Sequence, residues 1–171
     1  MGTKQVIVLR YDESWKKDFL AIETELRPVL EGLIVRIEHV GSTSVEGLSA
    51  KPIIDIDVVI RDRSMLGPVI SALGTIGYRH EGDLGIDGRE AFAYEGKEHL
   101  RKHHLYVCPQ DSRELKRHLA FRDYLRAHPE AVREYGRIKE EGAALFPHDI
   151  EKYIGHKSPF IEKILSEIGE G

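Results

Sequence analysis

Two aspartates interrupt the most apolar stretch of this 171-residue chain, Ile53-Ile-Asp-Ile-Asp-Val-Val-Ile60. Residues two apart on a strand project to the same face, so Asp55 and Asp57 share one. Two ionised carboxylates on one apolar face are costly, because each loses hydration and each repels the other. A cation between them relieves both costs. A hard divalent ion, Mg²⁺ or Mn²⁺, is the economical choice, since it takes oxygen ligands and leaves positions for water and substrate phosphate. The competing reading is a strand end where the carboxylates reach solvent or pair with Lys or Arg.

Twelve residues upstream, Gly41-Ser42 closes the preceding alternating segment and is followed by Thr43 and Ser44. A small Gly-Ser turn lets backbone N–H groups and a hydroxyl approach phosphate oxygens, and any helical turn that follows adds positive dipole. Thr43 to Ile54 is long enough to bring the chain back to a neighbouring strand, placing a phosphate cradle beside the carboxylate face. Lys51, just before that strand, is a candidate triphosphate contact, with a solvated loop lysine as the alternative.

Lys102-His-His-Leu-Tyr-Val107 offers His104 and Tyr106 on one face and no acid. A histidine there could serve as base or metal ligand, and Glu90 or Glu95 could be recruited from neighbouring strands. His103 and His104 point to opposite faces, so one zinc ion cannot easily use both. His118, Arg122 and Arg126 fall at steps of four on one helical face, where solvation is the default, although Phe121 and Asp123 allow Arg122 to turn toward a cleft. Arg79, Arg89, Arg101 and Lys102 are further candidate anion contacts.

The elements that must position these groups follow from periodicity. Val6 to Val8 reads as a short strand. Trp15, Phe19, Ile22, Leu26 and Leu30 share one helical face, and Gly32 ends that helix. Leu33 to Val40 and Ile53 to Ile60 read as strands, with a loop of at most one helical turn between them. A helix over Ser64 to Ile76 precedes strands at Tyr78–Glu81, Glu90–Tyr94 and Lys102–Val107. After Pro109 the chain turns helical. Asp111-Ser-Arg-Glu114 reads as a capping box, Pro129 opens a helix reaching about Leu145, and the last helix, from Asp149 to Ile168, carries a candidate break at Ser158-Pro159. The expectation is a single domain over 1–171 of α+β class, with a mixed-sheet core to about residue 109 and a helical tail over 110–171 packed on it.

Composition limits the partners. With 25 Lys plus Arg against 29 Asp plus Glu, the net charge of −4 gives no bulk attraction to nucleic acid or an anionic membrane. No apolar run approaches the roughly 18 residues needed to cross a bilayer. The N-terminus lacks secretory-signal character, and Met1-Gly2 with Val6 does not suit myristoylation, so a soluble cytoplasmic protein is expected. Cys108, the single cysteine, cannot form an intrachain disulfide and reads as a small core filler.

The stretch His39-Val-Gly-Ser-Thr-Ser-Val-Glu-Gly-Leu-Ser-Ala-Lys-Pro-Ile-Ile-Asp-Ile-Asp57 resembles the signature of the GrpB-like family, whose fold belongs to the nucleotidyltransferase superfamily. His118-Leu-Ala-Phe-Arg-Asp-Tyr-Leu-Arg-Ala-His-Pro129, with Tyr135, Lys139, Tyr153 and Lys157-Ser-Pro-Phe-Ile161, resembles its helical tail, so the likeness covers nearly the whole chain. The resemblance implies that Gly41 and Ser42 hold nucleotide phosphates, that Asp55 and Asp57 bind two divalent ions, and that Lys139 and Lys157 line the same cleft. It further implies in-line displacement of pyrophosphate, moving an NMP from an NTP to a small acceptor. Active superfamily members add a third carboxylate from a later strand, where this sequence offers His104. A nucleotide- or CoA-binding accessory module is therefore an alternative, since similar domains occur fused to dephospho-CoA kinase. No Gly-x-x-x-x-Gly-Lys-Ser/Thr loop supports kinase activity here. A metal-dependent phosphohydrolase is a third reading.

Overall fold

The structure, a computed structural model, describes residues 5–169; Met1 and Gly2, read above for targeting, lie outside them. Five strands form one mixed sheet: β1 Arg36–Val40, β2 Ile54–Ile60, β3 Arg79–Gly82, β4 Glu90–Ala93 and β5 His103–Pro109. Their spatial order is β1-β2-β5-β4-β3, with β2 and β5 parallel and every other neighbouring pair antiparallel. Five helices pack around it: α1 Ser14–Leu30, α2 Leu66–Gly74, α3 Arg113–Ala127, α4 Pro129–Leu145 and α5 Ile150–Glu167. This is the expected α+β arrangement.

The alternation of β2 decides which helices cover which side. Ile54, Ile56, Val58 and Ile60 are all buried and pack with Trp15, Ile22, Leu26 and Leu30 of α1 and Val69 and Leu73 of α2. That layer is the main hydrophobic core. The opposite face carries Asp55, Asp57 and Val59. Val59 packs with Cys108 and Leu115 of α3, so α3 closes one end of this face and leaves the two aspartates beside a cleft. Cys108 is buried, and burial pushes its thiol pKa up, which fits a core filler. A second apolar cluster, including Leu125, Val132, Tyr135, Phe160 and Ile164, binds α3, α4 and α5 to one another. No helix among the described residues is long and apolar enough to cross a membrane.

Several expectations are corrected. Val6 to Val8 is not a strand. Val6 N–H donates to Pro147 O at 2.8 Å, and Leu9 makes an isolated bridge with Ala50, so this segment ties loops together instead of joining the sheet. The strand expected from Leu33 begins at Arg36, and the helix expected from Ser64 opens with a 3₁₀ turn over Arg63–Met65. The α3 cap is Ser112, whose Oγ accepts from Leu115 N–H at 3.2 Å, one residue after the aspartate of the proposed box. Helix α5 runs unbroken through Pro159. Tyr153, Phe160, Ile164 and Leu165 are buried along it, and this packing holds the helix through a residue that removes one of its hydrogen bonds.

Candidate functional site

Asp55 lines the cleft, and Asp57, on the same sheet face as their spacing requires, lies buried beside it. Asp57 is fully buried and Asp55 is partly exposed. The parallel register sets Asp55 opposite His104 and Asp57 opposite Tyr106. His104 Nδ1 donates to Asp55 Oδ1 at 2.9 Å. With that nitrogen carrying hydrogen, Nε2 is the acceptor in neutral imidazole, on a side chain about half exposed.

The turn after β1 fits tightly over Asp55. Gly41 has φ 73° and ψ −177°, a combination that essentially only glycine adopts. A Cβ there would fall 2.2 Å from Asp55 Oδ2. Ser42–Ser44 then form one 3₁₀ turn. The loop is clamped from the helical side, because the Arg126 guanidinium donates twice to Ser44 O, at 3.1 and 2.8 Å. Arg122 Nη1 donates to His39 O at 3.1 Å and reaches Glu38 at 3.4 Å. Thus Arg122 does turn inward and lines the cleft, but its guanidinium is occupied in holding β1 to α3.

Thr43 and Ser44, expected to contact phosphate, turn their hydroxyls away from the cleft. Both are buried, with Thr43 Oγ1 hydrogen-bonded to His39 Nε2 at 2.9 Å and Ser44 Oγ donating to Gly41 O. Their hydroxyls build the loop's interior, because a tight 3₁₀ turn folds those side chains back on its own backbone. Ser42 lines the cleft. Beneath it lies Lys139, 2% exposed, whose ammonium group donates to Ser42 Oγ and, at 3.1 Å, to Ser49 O. Burial, reinforced by the charge of Lys157, drives the Lys139 pKa well below the ordinary lysine value, against the pull of Asp55. Lys157 lines the cleft, with Nζ 5.2 Å from the Tyr153 ring centroid and no hydrogen bond or ion pair among the described residues. Burial lowers its pKa to about 8. Lys51 stands across the same ring, 5.6 Å from its centroid, and lines a neighbouring depression with Arg101 and Lys102 instead of the cleft itself. Its charge nevertheless acts on both other lysines.

His118, for which a solvated face is the expectation, reaches the buried aspartate. Its Nδ1 donates to Asp57 Oδ2 at 2.6 Å and its Nε2 to Glu114 Oε1 at 3.3 Å. Burial alone would discharge the ring, but the two carboxylate hydrogen bonds prevail and raise its pKa to about 9. Burial also pushes the Asp57 carboxyl upward, opposed by the His118 charge. The i,i+4 spacing of Glu114, His118 and Arg122 was the available signal, since an acid and two basic groups on one helical stripe can face a polar floor.

Asp57 Oδ1 is buried and lacks a hydrogen-bond partner. Two carboxylates with one orphaned oxygen, under a turn close enough to exclude a methyl group, fit a hard divalent ion. Among the described residues no third His, Cys, Asp or Glu completes a metal cluster. Mg²⁺ commonly takes one or two carboxylates and leaves the remainder to water and phosphate, so this donor set suits it. The cleft above has a volume of about 240 Å³ and an apolar wall that includes Phe121, Leu125 and Ile161. His99, paired with Glu25, and His103, bonded to Tyr78 and the Arg101 carbonyl, serve separate structural contacts.

His39 gives this region a measurable pH dependence. It stacks on Phe19 at 4.7 Å, and burial lowers its pKa to about 4. The unfolded chain takes up that proton near pH 6.5, so the stabilisation present above this value is lost as pH falls toward 4. Urea unfolding at pH 7 and pH 4.5 should show the wild type losing about 2 kcal/mol more than His39→Gln. Equal losses in both proteins would remove His39 as the cause.

The chain matches a family model described as GrpB protein over residues 5–167. It is 36% identical to UPF0157 protein YqkA of Bacillus subtilis (strain 168), covering 93% of this chain and 46% of that protein, so it spans about half of that relative. It is 34% identical to Glutamate-rich protein GrpB of Alkalihalophilus pseudofirmus, over 96% of each. A dephospho-CoA kinase of Mycolicibacterium paratuberculosis is 23% identical over 87% of this chain and 42% of its own length. Among solved structures, that of the conserved protein GrpB from Enterococcus faecalis superposes with a TM-score of 0.82 at 35% identity, covering 94% of this chain and 96% of that one. The Cid1 poly(U) polymerase with MgGTP gives a TM-score of 0.54 at 11% identity over 76% of this chain and 42% of its own. That second likeness is one of fold, and it makes the sheet and its helices nucleotidyltransferase-like.

Proposed function

The chain belongs to the GrpB family, and from that membership and the geometry of its cleft we propose that it is a metal-dependent nucleotidyltransferase. It would move a nucleoside monophosphate from an NTP to a small hydroxyl- or phosphate-bearing acceptor. The observation that carries this reading is the orphaned, buried Oδ1 of Asp57 beside Asp55, on a face overhung by Gly41-Ser42. Asp55 and Asp57 would hold Mg²⁺ or Mn²⁺, which supplies polarisation of the α-phosphate when bound.

The chain's own residues supply the rest. Ser42 and Lys157 receive the phosphate oxygens, and Lys139 fixes Ser42 from below. His104, oriented by Asp55 through Nδ1, presents Nε2 as the acceptor for the proton of the attacking hydroxyl. His118 carries the positive charge that keeps Asp57 ionised inside the protein, and Glu114 keeps His118 charged.

Calorimetry with Mg²⁺ or Mn²⁺ and a labelled-NTP transfer assay test this together. Wild type should bind metal-nucleotide, and Asp55→Asn/Asp57→Asn should lose transfer by on the order of a thousandfold. Equally poor binding by both proteins would end the proposal. The absence of a third metal-binding side chain among the described residues favours one alternative, a nucleotide- or CoA-binding accessory module that has lost transfer. That reading gains from the partial likeness to a dephospho-CoA kinase. Nucleotide binding without turnover across an acceptor screen would select it.

A further inference from the structure

We infer that the sheet face on the β4–β5 side of Asp57 is a recognition subsite for an anionic group, a carboxylate or a phosphate, held by the Arg89 guanidinium stacked on Tyr106. That the anion belongs to the acceptor rests on the transfer reading; the anion site itself rests on the following geometry. Asp57 pairs with Tyr106, and Tyr106 pairs with Ala91, so all three share one face. Arg89, two residues before Ala91, projects to that face. Its guanidinium carbon lies 4.2 Å from the centroid of the Tyr106 ring.

What separates Arg89 from the other candidate arginines is its lack of an acceptor. Arg79 is paired with Glu95 at 3.2 Å, Arg101 with Asp18 at 3.0 Å, and Arg122 with His39 O. Arg89 Nε is buried with no hydrogen-bond partner, and the guanidinium makes no ion pair among the described residues. The charges of Asp57 and Glu114 act on Arg89 from nearby, but each carboxylate is hydrogen-bonded to His118, Asp57 Oδ1 stays unpaired, and neither makes an ion pair with the guanidinium. A buried charged N–H left unpaired is costly, and a bound anion would relieve that cost.

The side chain is also preorganised. Ser112 Oγ, at the start of α3, donates to Gly88 O at 2.8 Å, anchoring the backbone immediately before Arg89. Gly88 has φ +80°, and a Cβ there would meet that same Oγ at 2.8 Å. The Tyr106 ring under the guanidinium restrains it, so an anion that reaches the buried Nε–H would meet a fork already held in place.

Position in the sheet gives the site its role. Gly41-Ser42 and its lysines lie on the β1 side of β2, whereas β5 and β4 lie on the other. In an in-line displacement the leaving pyrophosphate and the incoming hydroxyl occupy opposite sides of phosphorus. Phosphates held at Ser42 and Lys157 therefore direct the acceptor toward His104, Tyr106 and Arg89. An acceptor carrying its own negative group would be anchored by Arg89, with its hydroxyl toward His104.

The test uses the full chain labelled with ¹⁵N-arginine and saturated with Mg²⁺ and a nonhydrolysable NTP, so that an added anion must bind away from the lysines. Inorganic phosphate and acetate are titrated separately. The Arg89 Nε–H resonance, identified by its loss in Arg89→Gln, should shift saturably while those of Arg79 and Arg101 do not. By calorimetry, Arg89→Lys should bind the preferred anion roughly tenfold more weakly, because it keeps the charge and loses the fork. A stronger response to phosphate would indicate a phosphorylated acceptor, and to acetate a carboxylated one. An unmoved Arg89 resonance, or unchanged anion affinity in both variants, overturns the inference. Nucleotide affinity measured on the same samples separates the two ideas. If no nucleotide binds yet Arg89 answers the anions, the anion site stands and the transfer reading falls. If nucleotide binds and Arg89 is silent, the reverse holds.

Discussion

Gly41→Ala should destabilise the protein by about 3 kcal/mol and abolish metal-nucleotide binding at the same time. Two penalties act together. The backbone at φ 73°, ψ −177° is strained for any residue with a Cβ, and that Cβ would enter the space of Asp55 Oδ2, 2.2 Å away. Neither neighbour can yield cheaply. The loop is pinned through Ser44 O by Arg126 and through Ser42 by Lys139, while Asp55 is fixed by β2 pairing and by His104. Urea unfolding measures the first effect and calorimetry the second. Adding Asp55→Ala removes the carboxylate but keeps the strain, so the double variant should recover roughly 1 kcal/mol of the loss. Simple additivity of the two substitutions would show that the close approach is not what makes this position glycine.

Lys139→Met should make the protein more stable and worse at binding triphosphate. Lys139 is buried, and its ammonium donates to a hydroxyl and a carbonyl with no carboxylate at hydrogen-bonding distance. Its folded-state pKa lies well below 10.5, so at pH 7 folding must either expel a proton or bury a charge. The unfolded chain binds the extra proton, which places the cost at neutral pH and removes it as pH rises toward 10.5. Methionine keeps most of the volume and has no proton to lose. The gain should be about 1 to 2 kcal/mol at pH 7, after allowing for Ser49 O left without that donor, and should shrink by pH 9.5. Nucleotide affinity should fall at least about tenfold. In wild type, phosphate charge near Lys139 and Lys157 should draw protons back onto them. Calorimetry in buffers of different ionisation enthalpy would record this as net proton uptake, absent in Lys139→Met if Lys139 is the main acceptor. An unchanged Tm with unchanged affinity would reduce Lys139 to packing.

The carboxylate face was readable because strand parity is a local rule. Asp55 and Asp57 had to point together once Ile54, Ile56 and Val58 formed the core side, and His104 followed from the neighbouring strand. The helices were equally readable from the spacing of Trp15, Ile22, Leu26 and Leu30, and from Pro129. What failed to appear depends on contacts between distant segments. His118 lies 61 residues from Asp57, and although Leu115, Leu119 and Leu125 mark the inward face of its helix, nothing local tells that His118 beside them meets a buried carboxylate. Val6 to Val8 alternates like a strand but meets loop carbonyls instead of a sheet edge. Thr43 and Ser44 have the right chemistry for phosphate and the wrong direction, which only the 3₁₀ geometry of the turn decides.

The 97-residue separation between Lys139 and Ser42 also bears on the order in which the cleft comes into being. The sheet uses residues up to Pro109, whereas the wall that supplies Lys139 and Lys157 belongs to α4 and α5, which are synthesised after it. Closing such long loops follows local structure in time, so a nascent chain carries its acidic face before the lysines that oppose it. In the finished protein the same wall, built apart from the sheet, is expected to open ahead of it. Amide exchange in α4 and α5 should therefore run ahead of that in β2 and β5, and added nucleotide should slow it. The cleft is then a joint between an early-formed half and a late-formed one, and nucleotide bound in it would tie them together.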